Sequence, residues 1–414
     1  MGRSPARSEP QANGVQGVNF DDSPGEATFR AEVRALLEPH WPREPLRYRG
    51  GHDLGALLAE QRAWQRILFA AGWAVPGWPR EHGGRGLGAG ERQIWGEELR
   101  RIGRGGSMLT GGLDMLGPTL IEHGSADQKA RFLEPTARGD SLWCQLFSEP
   151  GAGSDLASLA TRAVPDGEGW LVNGQKVWSS FANHAEMGFL LARTDPAAPK
   201  HAGIGFFLVD MKTPGIEVRP LIEMTGGNHF NEVFFSEVRI PGANLVGGPG
   251  AGWTLARTTL MHERLSIGAF SALEPVERVV QQVRAQGGAD PATAAELARL
   301  YAWAKALDLL SARVRTRLAR GQDPGPGALV MKNAVSDVML RAADLGMRVL
   351  GAEALAADGA FHHDFLFAPS MHIGGGTEEV VKNVAAEQGL GLPREPDATR
   401  GVPFAALARS GAAR

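Results

Sequence analysis

Apolar residues recur three and four positions apart through most of residues 25–141. The segments "ATFRAEVRALL", "LGALLAEQRAWQRILFAAGW", "GAGERQIWGEEL" and "MLGPTLIEHG" each lay an apolar stripe along a helix, with Gly and Pro between them. From residue 142 the rhythm shortens. "GWLVNGQKVWSS", with a turn at Asn173-Gly174, is followed by "GIGFFLVDM", "GIEVRPL" and "NEVFFSEVRIP", rich in β-branched and aromatic residues. Short strands at this spacing predict a small β-barrel or sandwich over residues 142–245. Long helical periods return over 246–393. Leu297, Leu300, Tyr301, Leu307, Leu310, Val314 and Leu318 form one stripe with arginines opposite, and Val335, Val338, Met339, Leu345 and Val349 form its partner. With "GWTLARTTLMHERLSIGAFSAL" and a helix after Thr377, four helices are available for a bundle. The pattern predicts a mainly α chain with a central β domain. Residues 1–24, rich in Gly, Pro, Ser and Arg without a period, are expected to be a disordered lead-in, and 394–414 a tail.

Composition removes several function classes. The 414 residues are 43% hydrophobic and 21% charged, enough apolar material for two or three folded domains. A formal charge of −3 with mixed signs leaves no basic stripe for nucleic acid. No apolar run is long enough for a membrane span and the first residues lack the apolar centre of a secretory signal, so a cytoplasmic protein is expected. Cys144 is the only cysteine, which rules out disulfides within the chain. "HERLS" lacks the second histidine of a zinc helix, and His362, His363 and Asp364 have no evident fourth ligand, so no metal is expected.

Three stretches carry candidate chemistry. "LFSEPGAGSDLASL", residues 146–159, packs small and hydroxyl residues where the helical domain meets the first strands, so a planar ligand could approach its backbone. It also reads as a turn set by Pro150, Gly151 and Gly153. "GQKVWSS" offers the Trp178 indole and the Ser180 hydroxyl at a strand end, either to cover a ring system or simply to fill a core. "MHIGGGTEEVVKN", residues 371–383, opens a helix with three glycines, as a phosphate cradle does. A loop that needs φ > 0, with Glu378 and Glu379 favouring the helix start, accounts for it equally.

"SEPGAGSDLASLATRA", "WLVNGQKVWSS", "PGIEVRPL", "NEVFFSEVRIP", "GGTEE" and "GLGLPREP", in this order, closely resemble the acyl-CoA dehydrogenase family over residues 29–396. The resemblance implies an N-terminal helical domain, a middle β-barrel and a C-terminal four-helix bundle, with FAD between the last two. It also implies α,β-dehydrogenation of an acyl-CoA thioester, with electrons passed to an electron-transferring flavoprotein. By the same resemblance, Gln145, Phe147 and Ser148 meet the flavin ring. Gly153 and Ser154 lie near its phosphates and the thioester tail, Trp178 flanks the isoalloxazine, and Ser180 bonds near its N5. Gly376 and Thr377 run beside the flavin with Glu379 near the cofactor, while Gly375 and Arg264 belong to the substrate side.

Many members of that family carry the catalytic glutamate directly before the Gly-Thr pair, where this chain has Gly375. Other branches place it on the first bundle helix in a Glu-Arg-Leu setting, and "TLMHERLSIG" supplies Glu263, Arg264 and Leu265. Glu263 is therefore the expected base, with a pKa raised by burial. Its neighbour His262 is expected to be structural. The Arg-x-x-Phe-Gly element that reaches a neighbouring subunit's FAD is missing from "ERVVQQVRAQGGADPATAAEL". Arg348 and Ala352 stand where many members have a glutamine and a glycine. Some actinobacterial steroid side-chain dehydrogenases share this loss and resemble α2β2 assemblies, so a homo-oligomer or a heterotetramer with a related subunit is expected. Two readings stay beside this one: an enzyme acting on carrier-protein thioesters, as dehydrogenase or oxidase, and a subunit lending half a cofactor site.

Overall fold

The computed structural model describes residues 22–40, 54–104, 107–267, 272–319, 322–356, 361–397 and 399–407; most of the expected lead-in lies outside them. Helix α1 (Pro24–Leu37) starts at the last residue of that expected lead-in. Ser23 decides this: its hydroxyl accepts from the Glu26 N–H, the Glu26 carboxylate accepts from the Ser23 N–H, and Pro24 fills the first helical position. Helices α2 (Leu54–Ala70) and α3 (Ala89–Arg101) follow. Then comes a π-helical turn, Gly111–Leu116, running directly into α4 (Gly117–His123), and α5 (Ala126–Arg138) with its own capping box at Ser125.

The middle of the chain forms one eight-stranded sheet. Its strands are β1 (Trp143–Leu146), β2 (Arg162–Asp166), β3 (Gly169–Lys176), β4 (Met187–Arg193), β5 (Ile204–Asp210), β6 (Ile216–Pro220), β7 (Asn231–Pro241) and β8 (Leu245–Val246). The hydrogen-bonded order is β6-β7-β3-β2-β4-β5-β8, with β1 added parallel to β4. Leu190, Ala192, Phe207, Val209, Val172, Val233 and Val238 gather in a single core cluster, so the sheet wraps around its inner face. The expected barrel is thus a curled sheet whose terminal strands β6 and β8 do not pair with each other. The alternate residues Phe189, Leu191, Phe206 and Leu208 point the other way and join the core of α2, α4 and α5.

The C-terminal helices are α6 (Gly252–Ile267), α7 (Leu273–Ala285), α8 (Pro291–Ala319), α9 (Gly327–Leu350), α10 (His362–Phe367) and α11 (Glu378–Val384). The bundle differs from the expectation in which helices build its core, since α7 joins it and, among the described residues, neither α6 nor α11 contributes to it. Its core is built by α7, α8 and α9 through Val276, Val279, Leu300, Leu307, Val335 and Val338. Helix α6 instead sends Leu255 and Ala256 into the core shared by the N-terminal helices and the sheet. The sequence predicts α6 as a helix, but not which neighbour covers it. Among the described residues no helix is long and apolar enough to cross a membrane.

Candidate active site

The π-turn comes very close to β1 because it begins with two glycines: a Cβ on Gly111 would stand 2.7 Å from the Trp143 carbonyl, and one on Gly112 would stand 2.8 Å from the Trp143 ring. From the other side, the Thr119 hydroxyl on α4 lies 3.0 Å from the Thr259 hydroxyl on α6, both fully buried, and His123 Nε2 lies 2.9 Å from Thr258 Oγ1. These contacts fix the rotation of α6. Glu263 follows Thr259 by four residues and so lies on the same helix face one turn along. There its Oε2 stands 3.4 Å from Gln145 Nε2 on β1. Two residues expected at the site, 118 positions apart in sequence, are thus brought into contact, with Glu263 partly buried. Beside it, burial lowers the pKa of His262. The Arg264 side chain falls outside the described residues.

The stretch after β1 is held by a pair of charges that sequence reasoning missed. Lys176, fully buried at the end of β3, donates to the Phe147 carbonyl at 2.9 Å and to Glu149 Oε1 at 2.7 Å. Glu149 also accepts from the N–H groups of Ala160 and Thr161, at 2.6 and 2.9 Å. Burial works against the Glu149 carboxylate, but the Lys176 charge and these hydrogen bonds hold its pKa below the ordinary range. Burial likewise lowers Lys176. The carboxylate therefore clamps both ends of the Pro150–Leu159 loop, which leaves Gly153 and Ser154 exposed. Arg193 braces the far side, donating to the carbonyls of Ala157, Leu159 and Lys200 with its guanidinium over the Phe404 ring of the tail. A lysine at an inward position of a strand was the available signal for the missed pair.

Lys176 also sets the strand end that carries Trp178. Val177 donates its N–H to the Ser148 carbonyl, tying the "SEPGAGSD" and "KVWSS" stretches together. Trp178 then turns at φ +61, a left-handed conformation rare for so large a side chain, and leaves its indole 60% exposed. The loop is fixed from behind. Ser179 N–H donates to the Asn231 carbonyl, Asn231 Nδ2 donates back to the Ser179 carbonyl, and the Phe230 ring meets the indole edge-on at 5.7 Å. His229 Nδ1 lies 2.7 Å from Glu223 Oε1 beneath this loop, with its pKa lowered by burial.

In the glycine-rich stretch, Gly375 and Gly376 have φ of +68 and +99, and Thr377 caps α11 by accepting from the Val380 N–H. Glu378 pairs with His372 and Lys382, while Glu379 is exposed on the first turn. A glutamate at position 375 would occupy a left-handed backbone conformation, so this loop is shaped for glycine where many family members carry a base. Its support comes from α9: Ser336 Oγ donates to the Met371 carbonyl and Asn333 Nδ2 to that of Glu378. Phe367, just upstream, places its ring 6.1 Å from His229 and so links this segment to the Trp178 loop.

Comparison with known proteins finds the same order of three domains. Residues 23–140, 144–238 and 250–390 match the N-terminal, middle and C-terminal domains of acyl-CoA dehydrogenase respectively. The chain is 45% identical over 343 residues to acyl-CoA dehydrogenase FadE34 of Mycobacterium tuberculosis, covering 83% of this chain and 47% of that protein, so it spans about half the length of that relative. It is 38% identical to acyl-CoA dehydrogenase IpdE1 of the same organism, over 89% of this chain and 98% of IpdE1. Among solved structures, the Tcur3481-Tcur3483 steroid ACAD superposes with a TM-score of 0.79 at 30% identity, covering 91% of this chain and 100% of that one.

Proposed function

This chain belongs to the acyl-CoA dehydrogenase family, and we propose that it removes hydrogen from C2 and C3 of an acyl-CoA thioester, using FAD and passing electrons to an electron-transferring flavoprotein. The observation that carries the reading is the approach of the Glu263 carboxylate to Gln145 at the β1 end. This is the one carboxylate that the family's known alternatives leave available, since position 375 is glycine. A thioester of steroid origin is the finer reading, supported by the name of a solved relative at 30% identity.

The residues fit FAD. Trp178 presents a large exposed indole at a strand end where water would otherwise meet an apolar ring. The space in which a Cβ on Gly151 or Gly153 would stand is open, as a close-lying cofactor requires. Gln145, Phe147, Ser148, Gly153, Ser154, Trp178, Ser180, Gly376, Thr377 and Glu379 would hold it, with Ser154, Arg264 and Gly375 toward the substrate. Bound FAD would supply the acceptor for the hydride leaving C3. The chain's own task is the proton: Glu263 takes it from C2, and the Gln145 amide orients the carboxylate.

A heteromeric enzyme in which this chain shares its cofactor site is favoured by Arg348. It stands where many family members have a glutamine, and its half-exposed guanidinium pairs with Glu296 of α8 at 2.6 Å and Asp344 of α9 at 3.1 Å. The test of the main reading is Glu263→Gln. The variant should keep flavin absorbance, and its flavin should be reduced by a good acyl-CoA about 10³-fold more slowly than in the unmodified protein. An unaltered rate sinks the assignment.

A further inference from the structure

Two bulky residues of the loop after β3 stand in the left-handed region, Trp178 at φ +61 and Phe181 at φ +57. Such a backbone is unfavourable for a large side chain and persists only where the surroundings over-determine it. Here the surroundings are residues 229–231, where β7 begins. Phe181 N–H donates to the His229 carbonyl at 2.6 Å and Ser179 N–H to that of Asn231 at 3.0 Å. Asn231 Nδ2 donates in turn to the carbonyls of Ser179 and His229, at 3.0 and 3.1 Å. The rings follow the backbone, with Phe230 against Trp178 and His229 against Phe181, each pair 5.7 Å apart.

Residues 229 and 230 also close the turn between β6 and β7, and one carboxylate shapes that turn. Glu223 Oε1 accepts from the N–H groups of His229 and Phe230 at 3.0 and 3.2 Å and lies 2.7 Å from His229 Nδ1. Its Oε2 accepts from the Thr225 hydroxyl at 3.3 Å. Ile222 and Met224 on either side are 77% and 72% exposed, so apolar packing at the tip does little to hold the turn. The Glu223 side chain, 11% exposed, turns inward between them. Beyond it, the His229 ring lies 6.1 Å from Phe367 of α10, the helix that leads to the glycine-rich loop. Resting on the dehydrogenase reading above, we propose that Glu223 is a positioning residue for the cofactor site: through His229 and Phe230 it holds Trp178 in the left-handed turn that offers its indole to FAD.

The test uses the purified protein, with any subunit that co-purifies, stripped of flavin and titrated with FAD. Glu223→Ala should weaken FAD binding about tenfold or more, the scale of lost hydrogen bonds to a charged group. The flavin that does bind should be less quenched in fluorescence, since the indole no longer covers it. Glu223→Gln should recover most of the affinity, because its amide oxygen still accepts from both N–H groups and its NH2 can donate to the Thr225 hydroxyl. Val279→Ala, in the bundle core, is the control for general destabilisation and should keep FAD affinity while lowering the unfolding midpoint. The decisive measurement is the double-mutant cycle with Trp178→Ala. Because Glu223 acts through the indole, the double variant should bind FAD about as weakly as Trp178→Ala alone. Full additivity of the two losses overturns the proposal, as does an affinity that Glu223→Ala leaves unchanged or that Val279→Ala lowers equally. If Glu223→Ala does not fold, His229→Phe, which keeps a ring and the backbone bonds but loses the Nδ1 contact, takes its place in the cycle with the same two outcomes. If the unmodified protein binds no FAD, the flavoprotein reading itself fails, and that failure is distinct from an additive cycle.

Discussion

Glu149 and Lys176 form the buried ion pair beside the candidate site, with side-chain exposures of 8% and 0%. Such a pair adds little net stability over an apolar filling, but removing one partner is costly because the other charge stays buried. Glu149→Gln should therefore destabilise the protein by about 3–5 kcal/mol, read as a loss in thermal or urea unfolding. Flavin occupancy should fall with it, since the same carboxylate holds the amides of Ala160 and Thr161 that close the Pro150–Leu159 loop. The pH dependence has a definite sign. Because the folded-state pKa of Glu149 is depressed below its ordinary value of 4.5, its contribution is complete above that value and is lost as pH falls through the folded pKa. A protein whose unfolding midpoint is indifferent to Glu149→Gln at pH 7 would show that the clamp does not hold the loop.

At the scale of elements, the π-turn and α6 determine how the site is assembled. Gly111 allows the turn to reach the Trp143 carbonyl on β1, while Thr119 and Thr259 lock α4 to α6. A methyl at position 111 has to displace one element or the other, because the atom it meets is backbone and not the tip of a flexible side chain. Gly111→Ala should cost about 1–3 kcal/mol through overpacking. It should also weaken thioester binding, because the displaced turn moves β1, which carries Gln145, relative to Glu263 on α6. Equilibrium unfolding and substrate titration of the flavin spectrum check the two halves separately. The segment "GWTLARTTLMHERLSIGAFSAL" was legible as a helix for the bundle. Its pattern could not say that β5 and the π-turn, not α8, would cover it, because periodicity is a property of one helix and its partner is chosen by the packing of the whole chain.

At the scale of the whole molecule, α8 and α9 leave Tyr301, Leu309 and Val330 exposed, and Leu390 and Leu392 lie exposed beyond α11. This apolar surface on the bundle side agrees with an oligomer. The missing Arg-x-x-Phe-Gly element, with Arg348 in place of a glutamine, argues against a symmetric homotetramer with complete cofactor sites. Expressed alone, the chain should lose flavin on dialysis. Co-expressed with a related subunit, it should elute as a defined heteromer that retains flavin. Native mass spectrometry with a flavin count decides this, and a homotetramer holding one flavin per chain through dialysis is the contrary result.

The order of helices, strands and helices was legible in the sequence because hydrophobic period is set residue by residue along each element, and the resemblance to acyl-CoA dehydrogenases could be read from short ordered motifs for the same reason. Ser148, Trp178, Glu263 and Thr377 were all named from those motifs. What only the tertiary structure decided is which of them meet. Gln145 reaches Glu263 because two threonines on different helices fix the rotation of α6. Glu149 finds Lys176 because a strand end and a loop converge 27 residues apart in sequence. Local chemistry writes the elements, but burial and long-range contact are properties of the folded chain as a whole, and no single stretch of sequence contains them.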